Sequence, residues 1–100
     1  MTVHGREMLI DFQAKHTDSA DQLNAWYHEA LRATWATPAE VRSRYPRASI
    51  VKNEKNKMIF RIKHNRYRLL VAINYSKSIV LVEGVWTHAD YNKWLKKAGK

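Results

Sequence analysis

The 100-residue chain contains no cysteine, only three glycines and only two prolines. The missing cysteine excludes a disulfide framework and thiolate metal sites, and it fits a reducing cytoplasm. So little glycine leaves no Gly-rich loop for a nucleotide. Few Gly and Pro, with 45% apolar residues, also argue against a disordered or low-complexity chain. No apolar run nears the roughly 18–20 residues of a membrane span; the longest, Leu69–Ile73, has five. The segment Met1–Arg6 lacks the apolar stretch of a secretory signal. These absences set the expectation of one cytoplasmic domain over residues 1–100 with no membrane partner.

Charge is plentiful and unevenly placed. Residues 42–68 carry ten Lys/Arg against the single acid Glu54, while residues 1–41 sum to −3 and residues 69–100 to +3. A basic block interleaved with strand-forming apolar residues is the electrostatic footprint of a phosphate-backbone binder.

The first half reads helical. Met8, Leu9 and Phe12 mark one face of a short helix over Arg6–Lys15. Leu23, Trp26, Tyr27, Ala30 and Leu31 recur at helical spacing, and Ser19 to Gln22 has the spacing of a capping box. Thr37-Pro38-Ala39-Glu40 starts a third helix, which must be short because Pro46 biases Tyr45 away from helix. The second half changes period. Met58, Phe60 and Ile62 alternate with Lys57, Ile59, Arg61 and Lys63. Tyr67–Asn74 and Ser78–Trp86 read as strands by β-branched and aromatic content, and Ser49-Ile50-Val51 as a possible fourth. The Ser78–Trp86 strand is apolar on both faces except at Glu83, which suits the central position. Thr87 caps a final helix whose Tyr91, Trp94, Leu95 and Ala98 share a face. The fold class is α+β: N-terminal helices packed on an antiparallel three- to four-stranded sheet, then a short C-terminal helix.

Alternation decides which charges meet. With Met58, Phe60 and Ile62 inward, Lys57, Arg61 and Lys63 face outward, and Arg68 in the next strand shares that outer face. His88 falls at the first position of the last helix, where the dipole favours anions. Tyr91 lies one turn on and can donate to a phosphate or stack on a base. No metal-ligand spacing is present, so neither metal nor cofactor is expected. What remains is metal-free cleavage of RNA by its own 2′-OH. Arg61, Arg68 and Lys57 would neutralise the transition state, and His88 would move a proton. A solvated basic face that guards a sheet edge accounts for the same charges without chemistry.

The run Phe60-Arg61-Ile62-Lys63-His64-Asn65-Arg66-Tyr67-Arg68-Leu69, then Ala72-Ile73-Asn74-Tyr75 and Thr87-His88-Ala89-Asp90-Tyr91, resembles the HigB family of bacterial toxins, within the RelE/ParE superfamily of type II toxin–antitoxin systems. Ala25-Trp26-Tyr27 and Ala48-Ser49 extend the similarity upstream. The resemblance implies a RelE-like fold with its active face on the sheet. It implies a ribosome-dependent mRNA endonuclease that inhibits translation and is held inactive by a helix-turn-helix antitoxin. It also assigns catalytic roles to Arg61, Arg68, His88 and Tyr91. Lys57, Lys63, Asn65 and Arg66 are then expected to bind RNA. Arg42, Arg44, Arg47, Lys52 and Lys55 would hold the protein against ribosomal RNA. Two features depart from the family pattern: Arg61, Lys63 and His64 stand where small or amide residues are common, and Trp86 where a smaller one is. The alternatives are a ParE-like toxin that blocks a protein target without cleaving RNA, a plain RNA- or ribosome-binding module, and a structural domain whose basic face is incidental.

Overall fold

A computed structural model describes residues 1–99. In chain order it has strand β1 (Thr2–His4), helices α1 (Arg6–Lys15), α2 (Ala20–Arg32) and α3 (Pro38–Arg44), strands β2 (Ser49–Val51), β3 (Glu54–Ile62), β4 (Tyr67–Asn74) and β5 (Ile79–Thr87), and helix α4 (His88–Lys97). The sheet has five strands in the order β1-β5-β4-β3-β2. That corrects the expected three- to four-stranded antiparallel sheet. The β2–β3–β4–β5 part is antiparallel, and β1 adds a parallel edge against Ile79–Leu81. β4 is the middle strand, which corrects the central place expected for β5; β5 lies between β1 and β4.

Local chemistry explains most element boundaries. The Thr37 hydroxyl accepts from the Glu40 amide at 3.3 Å, Pro38 occupies the first turn, and α3 stops at Tyr45 before Pro46. Ser19 departs from expectation. It belongs to a 3-10 turn over Thr17–Ser19, is buried, and donates its hydroxyl to the His16 carbonyl at 2.7 Å, so it does not cap α2.

The sheet has two unequal faces. Met58, Phe60, Ile62, Tyr67, Leu69, Val71, Ile73, Val80 and Val82 pack against Leu9, Leu23, Trp26, Ala30, Trp35 and Val41 of the helical layer. The opposite face carries a smaller cluster of Val51, Ile59 and Leu70, covered by Trp86, Tyr91 and Trp94. A β-bulge creates this second cluster. Leu70 pairs with Gly84 and Val71 with Val82, so Glu83 is the extra residue on β5. Strict alternation from Val80 and Val82 would send Trp86 to the helical side. The bulge shifts the phase, and Trp86 becomes the partner of Arg68 on the outer face. Among the described residues no helix is long and apolar enough to cross a membrane.

Candidate phosphate-binding site

The β3–β4 register sets Arg61 directly opposite Arg68. Arg47 lies in the turn before β2 and meets Arg61 at the Asn65 side-chain oxygen, which accepts from both. Arg61, Arg68 and Trp86 thus form one row across the outer face, transverse to the strands, with Arg47 beside its Arg61 end. The row lies at the end of the sheet where the β3–β4 turn meets the start of α4.

Arg68 is the buried member, 6% exposed. Its Nη1 donates to the Asn65 carbonyl at 2.7 Å and the Tyr67 carbonyl at 3.3 Å, and its guanidinium carbon lies 5.6 Å from the Tyr91 ring centroid. Burial first, then the Arg61 guanidinium, lowers its pKa from the ordinary arginine value; Tyr91 opposes that shift and Arg47 adds to it. Arginine remains a cation under such a perturbation. Arg61 is exposed, and its Nη1 donates to the Asn65 carboxamide oxygen at 2.8 Å; Arg47 Nη2 donates to the same oxygen at 2.7 Å. None of the three arginines has a carboxylate partner among the described residues.

The α4 terminus completes the site. The Thr87 hydroxyl accepts from the Asp90 amide at 3.2 Å, as expected for a cap, and His88 is the first helical residue. The His88 amide donates to the Arg66 carbonyl at 3.0 Å, which ties the helix start to the β3–β4 turn. The His88 side chain is exposed, and Tyr91 is half-buried one turn further on. Among the described residues no three His, Cys, Asp or Glu gather to hold a metal ion.

The rest of the basic block divides sharply. Lys57 lies on the outer face but four residues along β3 from Arg61, bound to Glu83 at 2.9 Å and Glu54 at 3.2 Å. The Glu83 carboxylate, against a smaller effect of burial and with help from Glu54, holds its ammonium above the usual lysine value. This corrects its expected place beside Arg61 and Arg68. Arg66 turns to Asp18 at 2.6 Å, and the Tyr67 hydroxyl donates to the same carboxylate at 2.5 Å. Arg44 pairs with Glu29, which also accepts from Tyr45. Arg42, Lys52, Lys55 and Lys63 are exposed and lie outside the row. Arg47, expected among the outlying contacts, adjoins it through Asn65, a contact across 18 residues that no local pattern displays.

Like charges directly opposite on a sheet are destabilising. Arg61→Gln is therefore expected to raise stability by a few tenths to about 1 kcal/mol, read as a higher urea midpoint. A fall in midpoint would show that Arg61 holds the fold together rather than straining it.

An α+β scaffold that crowds three arginines, none with a carboxylate partner among the described residues, beside the start of α4 defines a small basic protein with a concentrated positive face. The particular family follows from comparison. Residues 19–94 match the family model of the HigB toxin, described as the RelE-like toxic component of a toxin–antitoxin system. The chain belongs to that family, and membership implies an antitoxin partner. A search of curated proteins returned no match.

Proposed function

We propose that this toxin is a metal-independent endoribonuclease that cuts mRNA on the ribosome and is silenced by a helix-turn-helix antitoxin. The observation that carries this reading is the acid-free arginine row beside His88 and Tyr91. A phosphodiester approaching pentacoordination gains negative charge. Arg61 is exposed and can contact its non-bridging oxygens. Arg68 acts from beneath as a fixed charge at a desolvated position, where electrostatic stabilisation is stronger than in water. His88 takes the 2′-OH proton or returns one to the departing 5′-oxygen. Tyr91, held over Arg68, donates to the phosphate or stacks on the adjacent base. The 2′-oxygen forms the new bond to phosphorus, and the bond to the 5′-oxygen breaks.

Induced expression without antitoxin should arrest growth and produce new 5′ ends within translated mRNAs, read by primer extension. Unchanged growth and unchanged termini would sink the reading. A second reading, an RNA-binding toxin without chemistry, draws on one observation: among the described residues the His88 side chain has no hydrogen-bond partner to orient it. Growth arrest with intact mRNA would select it.

A further inference from the structure

Asn65 has an unusual set of neighbours. Its carboxamide oxygen receives Arg47 Nη2 at 2.7 Å and Arg61 Nη1 at 2.8 Å. Two guanidiniums converging on one oxygen at this range is how arginines hold an oxygen of a phosphate. A carboxamide oxygen carries only partial charge and leaves both cations unneutralised.

The turn that delivers Asn65 is also held against its own preference. Lys63 and His64, neither of them glycine, have φ of 53° and 60°. Bonds from every side fix them. The Lys63 amide donates to Gln22 Oε1 at 2.6 Å, and the Arg66 amide donates to the Lys63 carbonyl at 3.1 Å. Arg68 holds the Asn65 carbonyl at 2.7 Å, and the His88 amide holds that of Arg66 at 3.0 Å. Backbone strain persists where its surroundings over-determine it, and ligand clamps are a common setting.

We infer that Arg47 and Arg61 form a clamp for one phosphate of a single-stranded RNA, and that Asn65 Oδ1 keeps the place of a phosphate oxygen until the RNA arrives. The inference rests on the proposed nuclease reading and adds Arg47, with Asn65 as placeholder, to the phosphate that reading gives Arg61. The clamp borders a cleft of about 360 Å³ that Arg47 and Arg61 line together with Gln22, Glu29, Arg44 and Tyr45. Asn65 is a positioning residue in this scheme.

The test uses the full chain and a 2′-O-methyl RNA oligonucleotide, which lacks the attacking hydroxyl and stays intact. Binding is followed by fluorescence anisotropy across a salt series. Arg47→Ala is expected to weaken binding and to reduce the log–log salt slope by about 0.7, the value for one lost single-strand phosphate contact. Asn65→Asp keeps the shape and both hydrogen bonds but puts a full negative charge between the guanidiniums. It is expected to weaken binding more than Asn65→Ala, which frees them. A scaffold role for Asn65 gives the reverse order, with Asp harmless and Ala damaging. That order, no binding by the unaltered chain, or an unchanged slope for Arg47→Ala, overturns the clamp. Binding in the expected order without cleavage of ordinary mRNA on ribosomes upholds the clamp and removes only the nuclease reading.

Discussion

His88→Ala is expected to slow single-turnover mRNA cleavage by about 10²- to 10⁴-fold, the usual contribution of a positioned acid or base. Stability should stay within about 0.5 kcal/mol of the unaltered chain, as for other surface substitutions. The side chain is exposed, so the fold does not depend on the imidazole. The bond that anchors the helix start comes from the His88 amide, and alanine retains it. Thr87 still caps the helix through the Asp90 amide. The measurement pairs a cleavage time course on programmed ribosomes with urea unfolding of the same preparation. Full activity in a folded His88→Ala protein would move the proton-transfer role elsewhere, with Tyr91 the first group to examine.

Gly84→Ala is expected to lower stability by about 1–3 kcal/mol, the range for overpacking a filled site, and to reduce cleavage with it. A Cβ at Gly84 would lie 2.4 Å from Trp86 Cζ2 and 2.5 Å from Trp86 Cη2. The indole has little freedom to retreat. It stacks on Trp94 with ring centroids 5.2 Å apart and lies 6.2 Å from Tyr91. Moving it disturbs the surface on which α4 rests, and through α4 it disturbs His88 and Tyr91. Urea midpoints and cleavage rates of the two proteins check this. An unchanged midpoint would mean that the Trp86 ring can swing aside without loss, and that the bulge does not fix the outer face.

Most of the helical layer was legible because its signals are local. Thr37 with Pro38, and Thr87 with Asp90, announce helix starts within four residues, and the structure places both caps as read. Ser19 shows the limit of such signals. The spacing of a cap was present, but the preceding chain enters as a 3-10 turn and takes the hydroxyl for the His16 carbonyl. β1 was missed because three residues, Thr2-Val3-His4, are too few to display a period. That Arg61 and Arg68 share a face followed from alternation, whereas their direct pairing needed the β3–β4 register. Placing Arg47 needed the contact through Asn65, and placing Trp86 needed the bulge at Glu83, neither of which is written in a local pattern. The ion pairs that withdraw Lys57, Arg66 and Arg44 were equally hidden, since Glu83, Asp18 and Glu29 are distant in sequence from at least one partner each.

The four tryptophans fall into two pairs with separate surroundings. Trp26 and Trp35 belong to the main core, whereas Trp86 and Trp94 face one another across the joint between sheet and α4. No residue of α4 is fully buried, which puts this helix among the parts of the fold with least local stability. The protein therefore carries its own optical gauge. Two indoles on two different elements couple their strong far-ultraviolet transitions only while the helix lies down. Lifting α4 would erase that signal and leave the emission of Trp26 and Trp35 in place. A departure of the helix that carries His88 and Tyr91 can thus be told from unfolding of the whole chain without attaching a label.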